Sequence, residues 1–143
     1  ADASLADLGA ALADGRLRRF AIANPDLAPY GRAAQQALER AGLWTAIRPK
    51  LVIGENAGQA MQFAAGGDTQ GGLVPLALVA TPPMAAAGAH ATIPESKHDP
   101  LRQRMTLLRP ATPAAERLYA YLQGASARAV LARHGYAVPG GPD

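Results

Sequence analysis

Short apolar runs of strand length alternate with segments of helical periodicity along this 143-residue chain. Residues 18–23 and 51–53 carry apolar runs that end at Asn24-Pro25 and Gly54, and their lengths and flanking residues predict buried strands. Between them, residues 32–41 place alanine and leucine at helical spacing before a glycine. Strands alternating with helices indicate an α/β fold with a mostly parallel sheet flanked by helices.

The same patterns predict further elements on both sides of these segments. Thr112-Pro113 combines an N-cap hydroxyl with a proline at the first helical position, which is typical of a helix start. Residues 24–31 contain two prolines and are predicted to form a loop. The other predicted elements are helices at 3–13, 56–65, 113–123 and 126–134, a helical turn at 76–80, and strands at 71–74, 91–93 and 105–108.

Composition excludes several classes of protein. The chain has no cysteine, which excludes disulfides, thiol catalysis and cysteine-ligated metals. No apolar run approaches the roughly 20 residues that a membrane-spanning helix needs. No signal-peptide pattern opens the chain, so we expect that such a segment is absent or already removed. The net charge is +3, but the basic residues are scattered and not interleaved with aromatic rings, so we expect no binding to nucleic acid.

The sequence offers no convincing catalytic or metal site. No serine sits in a nucleophile elbow, no histidine has metal-ligand spacing, and Glu55 has no carboxylate partner suggested by its position. His98-Asp99 is interpreted as a surface loop ahead of Pro100. The glycine-rich residues 66–72 lack the order of a phosphate loop and are better explained as a helix end and a tight turn. We therefore predict no enzyme activity, no cofactor and no protein-ligated metal cation.

Two loop-to-helix junctions follow predicted strand ends and suggest a binding site. In an open parallel sheet, ligands bind outside the carboxyl ends of the strands. Tyr30 and Gly31 follow the first strand, and Asn56 and Ala57 follow the second. A helix start presents unpaired N–H donors and a partial positive charge, which suit an anion. The alternative interpretation is two ordinary capped helices whose glycines serve turn geometry.

These junctions resemble a known family. Residues 21–34 read A-I-A-N-P-D-L-A-P-Y-G-R-A-A and resemble the segment A-x-x-N-P-x-x-A-P-Y-G-x-A-A of periplasmic molybdate-binding proteins. The similarity continues through Gly54-Glu55-Asn56 and residues 71–74, and ends at Gly135-Tyr136 with Pro139. It covers nearly the whole chain from about residue 15 onward.

The resemblance implies a fold of two α/β lobes joined by a hinge, with a tetrahedral oxyanion buried between them. On this basis residues 1–15 are a helix before the hinge, and residues 16–99 are a complete periplasmic-binding-protein-like lobe. Residues 100–143 are the returning part of an incomplete second lobe. The implied function is binding of molybdate or tungstate, as ligand and not cofactor, for an ABC transporter. The implied partner is its membrane permease, and the implied location is the periplasm.

The resemblance also assigns site residues. Backbone amides that hold the oxyanion fall on Tyr30 and Ala57, with Gly31 and Asn56 beside them. Some members add a tyrosine hydroxyl after the third strand, where this chain has Pro75. An open edge at the predicted strand 105–108 would favour self-association. An alternative function is the cytoplasmic ligand-sensing domain of a transcription regulator with the same fold.

Overall fold

A computed structural model describes residues 3–85 and 88–138, and the chain divides into two compact units. The first unit is Ala1–Leu101 and the second unit is Arg102–Asp143. The family match at Pro139 and the rest of the tail lie outside the described residues.

The first unit contains six α-helices, two short 3₁₀ turns and three strands among its described residues. The helices are α1 (Ala6–Ala13), α2 (Pro29–Arg40), α3 (Trp44–Ile47), α4 (Ala57–Ala65), α5 (Leu76–Val79) and α6 (Pro82–Ala85). The strands are β1 (Phe20–Ala23), β2 (Leu51–Gly54) and β3 (Gly72–Leu73), and the 3₁₀ turns are Arg48–Lys50 and Glu95–Lys97.

The three strands form one parallel sheet in the order β2-β1-β3. Ala23 at the end of β1 is the register partner of Gly54 at the end of β2, and Asn24 N–H donates to Gly54 O over 2.7 Å. All four residues of the central strand β1 are buried, because the sheet continues on both sides and helices α2 and α4 pack against it. The predicted parallel α/β arrangement is confirmed.

The core of the first unit is aliphatic and alanine-rich. Ile22, Leu38 and Ile47 are fully buried, and each such side chain contributes about 1.5–3 kcal/mol relative to an exposed one. Ala33, Ala34 and Ala37 form the buried stripe of α2, where small side chains let the helix lie close to the sheet. Only 5% of the residues are aromatic, so aliphatic side chains supply most of this core.

Helix α2 begins earlier than the sequence predicts. We expected a loop from residue 24 to 31, but the helix starts at Pro29. Proline is tolerated at the first helical position because the N–H that it lacks would have had no intrahelical partner. Tyr30 and Gly31 therefore lie inside the first helical turn and not in a loop.

Two predicted strands are wrong. Residues 91–93 and 105–108 form no ladder with any strand among the described residues. A strand needs a partner for its backbone groups, and an apolar run cannot supply one by itself. In the second unit the exposed fractions of Met105 and Leu108 are 42% and 77%.

The second unit contains two described helices, α7 (Pro113–Leu122) and α8 (Ala125–Arg133), which contact each other. Thr112 caps α7, since its hydroxyl accepts a hydrogen bond from Ala115 N–H over 3.2 Å. The predicted start of α7 is confirmed. Leu118, Tyr121 and Leu122 recur at helical spacing on α7 and are each at least 39% exposed. Their apolar face is therefore only partly covered within the described part of this unit.

Candidate functional site

The first turns of α2 and α4 stand at the carboxyl ends of two paired strands. Helix α2 follows β1 after a five-residue connection, and α4 follows β2 after Glu55 and Asn56. Because Ala23 and Gly54 are register partners, the two strand ends are neighbours about 4.8 Å apart. The structure thus brings the two predicted junctions to one edge of the sheet.

Gly31 lets the first turn of α2 lie directly on the end of β1. A β-carbon at this position would overlap the carbonyl oxygen of Ala23 and lie 2.6 Å from the carbonyl carbon of Asn24. Real β-carbons do not approach backbone atoms so closely, so only glycine fits without moving the helix. Gly31 is buried in this contact and fixes where the amides of Tyr30 and Gly31 stand.

Gly54 lets helix α4 lie directly against the end of β2, as Gly31 does for α2 and β1. A β-carbon there would lie 2.5 Å from Ala60 N and 3.0 Å from Ala60 Cα, both in the first turns of the helix. The last residue of β2 and the helix that follows are therefore in direct backbone contact. Sequence reasoning treated Gly54 as a strand stop and missed this contact, since the partner is known only once the helix is placed.

Asn56 is the N-cap of α4, and its side chain fixes the turn. Its Oδ1 accepts from Gln59 N–H over 2.9 Å, and its carbonyl accepts from Ala60 N–H over 3.1 Å. Gln59 reaches back, so that its Oε1 accepts from Glu55 N–H over 2.7 Å. Gln59 was not among the predicted site residues, although an Asn followed three residues later by Gln has the spacing of a capping box.

These bonds define which donors of α4 remain. The first turn of a helix leaves its N–H groups without intrahelical acceptors. Gln59 and Ala60 N–H are bound to Asn56, whereas Ala57 and Gly58 N–H have no acceptor among the described residues. The Ala57 amide is therefore available to donate at the strand edge. Its part in binding an oxyanion stays a prediction.

In α2 the first intrahelical bond runs from Arg32 N–H to Ala28 O over 3.1 Å. Tyr30 and Gly31 are ahead of it, in the first turn. Both helices have eight residues or more, so each N-terminus carries a partial positive charge of about half an elementary charge. This edge of the sheet therefore combines uncharged backbone N–H groups with the positive ends of two helix dipoles. None of the four predicted site residues is a lysine or an arginine.

Pro75 lies two residues beyond β3, the strand on the other side of β1. It is buried and is the N-cap of the short helix α5, with φ −62° and ψ 134°. Proline has no N–H and no hydroxyl to offer a ligand. The third strand end therefore contributes no side-chain donor at this position.

The described residues contain no group of three or more His, Asp or Glu side chains that could hold a metal ion. No helix within residues 3–85 and 88–138 is long and apolar enough to cross a membrane.

A family model for bacterial extracellular solute-binding proteins matches residues 1–137. The chain belongs to this family. The assignment agrees with the fold described above, in which two helix starts meet at one edge of a parallel sheet.

Three relatives that this chain resembles share one name, molybdate-binding protein ModA. The molybdate-binding protein ModA of Azotobacter vinelandii is 38% identical over 132 residues, covering 91% of this chain and 52% of the relative. ModA of Rhodobacter capsulatus is 32% identical over 95% of this chain and 54% of its own length. ModA of Escherichia coli K12 is 26% identical, over 84% of this chain and 46% of its own length. The chain thus spans about half the length of these relatives.

A solved structure shows the same fold. The periplasmic molybdate-binding protein of Azotobacter vinelandii superposes with a TM-score of 0.78 and 29% identity, covering 92% of this chain and 59% of that chain. The relatives and the solved structure are named as binding proteins and not as enzymes or transcription regulators. Nothing among them favours the alternative function of a regulator's sensing domain.

Proposed function

We propose that this solute-binding chain contributes one wall of a site for a tetrahedral oxyanion, molybdate or tungstate. The observation that carries the proposal is the pair of helix N-termini at neighbouring ends of parallel strands. The ligand donors would be the amides of Tyr30 and Ala57, with Gly31 and Asn56 setting their positions. The names of the relatives support molybdate as the ion to test first.

The chemistry of the donors fits such an ion. Molybdate is a dianion whose oxygens only accept hydrogen bonds, and backbone amides only donate. Hydrogen bonds to a charged acceptor are stronger than those between neutral groups, so a set of amides can hold the ion without a cationic side chain. Selection against sulfate would then depend on the size of the space, because the two ions share shape and charge.

The proposal extends to partners and location. We propose a periplasmic protein that delivers its anion to the membrane permease of an ABC transporter. We also propose that the exposed apolar face of the second unit favours self-association, since contiguous apolar patches mark interaction surfaces. Sedimentation at rising protein concentration tests this part, and a monomer at all concentrations would contradict it.

The affinity expected for the chain by itself is low. The donors described above come from one sheet edge, so the ion stays partly hydrated. Each hydrogen bond made in competition with water nets only about 0.5–1.5 kcal/mol. We expect a dissociation constant in the millimolar range or weaker. Calorimetry that gives a micromolar value would show that one wall is sufficient.

The decisive experiment removes a single amide donor. Ala57 is the first residue of α4, and Asn56 before it is extended at φ −144° and ψ 174°, as a residue before proline prefers. Ala57→Pro should therefore fold while losing the N–H, just as Pro29 and Pro113 begin α2 and α7. We expect Ala57→Pro to weaken molybdate binding several-fold and Ala57→Ser to change it little.

A matched control places proline at the start of a helix away from the site. Ala125 is the first residue of α8, after the extended Gly124. Ala125→Pro should leave binding unchanged. Molybdate titration followed by amide NMR measures all variants, with sulfate as a competing ion. The assignment is wrong if the Tyr30 and Ala57 resonances stay still while others move, or if Ala57→Pro binds like the wild type.

A further inference from the structure

A polar cluster joins α2 to the last residues of the first unit. Arg40 Nη2 lies 2.6 Å from Asp99 Oδ1 in an ion pair. Gln36 Nε2 donates to Asp99 Oδ2 over 2.8 Å, and the Asp99 backbone N–H donates to Gln36 Oε1 over 2.9 Å. Arg40 Nη1 also donates to the carbonyl of Ser96 over 3.3 Å. Gln36 and Arg40 are four residues apart, so they reach out from the same face of α2.

This cluster provides the hydrogen bonds that hold the irregular segment around residues 94–101 to helix α2. Residues 88–94 and 98–101 form no helix or strand. Ile93, ahead of the polar cluster in the chain, is the last residue before it that packs against the hydrophobic core. In the described structure, the hydrogen bonds from residues 94–101 to the rest of the first unit all run to Gln36 or Arg40. The segment ends at Leu101, where the first unit gives way to the second.

We propose that Gln36, Arg40 and Asp99 form a latch that fixes residues 94–99 on the first unit. With the latch closed, the free chain that leads to the second unit starts after Asp99. With the latch open, the free chain starts after Ile93 and is six residues longer, which adds about 20 Å to the distance that it can span. The latch therefore sets the length of the connection between the units, independently of anion binding.

The exposure of the cluster makes it suited to open. The side chains of Arg40 and Asp99 are 41% and 68% exposed, so their ion pair is screened by water and salt. The hydrogen bond from Arg40, and after it the one from Gln36, lowers the pKa of Asp99, so its carboxylate stays charged to a lower pH than an ordinary Asp. Salt should thus weaken the latch while leaving the buried sheet intact.

The two lysines of the chain provide a direct readout. Lys97 lies inside the latched segment, whereas Lys50 ends the 3₁₀ turn ahead of β2. Leu51, which follows Lys50, pairs with Phe20 in the sheet, so cleavage there requires the sheet to open. A protease that cuts after lysine therefore reports local opening at Lys97 and unfolding of the unit at Lys50. The measurement is the rate of cleavage after Lys97 divided by the rate of cleavage after Lys50.

We expect Asp99→Asn and Gln36→Met each to raise this ratio by about two- to fivefold, because an exposed pair contributes little and proteolysis of a briefly opened segment follows the population of the open form. Asp14→Asn is the matched control, since it breaks another exposed Asp–Arg pair, with Arg16 at 2.7 Å, and should leave the ratio unchanged. In the wild type, rising salt should also raise the ratio.

The latch is refuted if both variants leave the ratio at its wild-type value. Equal acceleration at Lys50 and Lys97 would also overturn it, because the whole unit would then be unfolding. Should the variants fold too poorly to assay, the salt series on the wild type decides, and a ratio that does not change with salt overturns the proposal.

Discussion

The two units of the chain differ in how they use apolar side chains. The first unit holds a core in which Ile22, Leu38 and Ile47 are fully buried, whereas in the described part of the second unit only Ala127 is a buried hydrophobic residue. The exposed large hydrophobic residues of the second unit are Met105, Leu108, Leu118, Tyr121, Leu122, Val130 and Tyr136. Both units contain helices where the sequence has helical periodicity, but among the described residues only the first unit has a sheet against which helices pack.

Charge separates the units as well. The first unit has eight basic and nine acidic residues, a net charge of −1, and the second has six arginines and two acidic residues, a net charge of +4. A positive surface with exposed apolar side chains is typical of a region that meets another macromolecule. A helix can therefore form from local sequence, whereas a strand and a buried core require partners from distant parts of the chain.

The largest contrast should appear when one apolar side chain is shortened in each unit. Ile22→Ala opens a cavity in the centre of the sheet and should cost about 2–5 kcal/mol of unfolding free energy. Leu118→Ala, at a side chain that is 58% exposed, should change it by less than about 0.5 kcal/mol. Urea unfolding measures both. Equal losses would show that Leu118 is covered in solution, and would break the comparison.

A second test concerns the close backbone contact beside the candidate site. Gly54→Ala places a β-carbon 2.5 Å from Ala60 N and should destabilise the first unit by about 1–3 kcal/mol, because neither backbone can yield easily. Gly88→Ala is the control, since nothing lies within 4 Å of the added carbon. Urea unfolding of both variants is the measurement. Wild-type stability of Gly54→Ala would mean that α4 does not rest on β2.

Removing one helix cap in each unit sharpens the comparison further. Asn56→Ala and Thr112→Ala each delete a side-chain acceptor at a helix start, at a cost of about 1 kcal/mol. We expect Asn56→Ala to lower the unfolding free energy of the first unit. Thr112→Ala should speed hydrogen exchange within α7 alone. Faster exchange in α2 or α4 of the Thr112 variant would show that the units unfold together.

The smallest expected effect is on acid stability. Hydrogen bonds from the backbone and side chain of Arg16 lower the pKa of Asp14, and those from Arg40 and Gln36, with the nearby His98 charge, lower the pKa of Asp99. A lowered pKa adds stability above the ordinary Asp range, and this is lost as pH falls through the lowered value. Melting temperatures between about pH 5 and pH 2 should therefore fall less steeply in Asp14→Asn/Asp99→Asn than in the wild type. Identical slopes would contradict this.

Much of the fold could be predicted from local signals. Glycine stops, the Thr112 cap and the alanine spacing of α2 are written in adjacent residues, and the elements they predict lie within a few residues of those observed. The predicted strands at 91–93 and 105–108 failed because nothing in an apolar run states whether a partner strand exists. The lobe assignment and the oxyanion ligands remain predictions that rest on the resemblance and on the proposed experiments.

Local residues explain where the helices beside the candidate site begin, because Pro29 and Asn56 act on the backbone next to them. The sequence prediction found the start at Asn56 but placed the start of α2 three residues too late, at Arg32. That these helix starts are neighbours depends on the pairing of Ala23 with Gly54, which are 31 positions apart in the chain. The same holds for Gly54 against Ala60 and for Arg40 with Asp99. Contacts between distant residues exist only after packing has chosen one arrangement, and no local pattern encodes that choice.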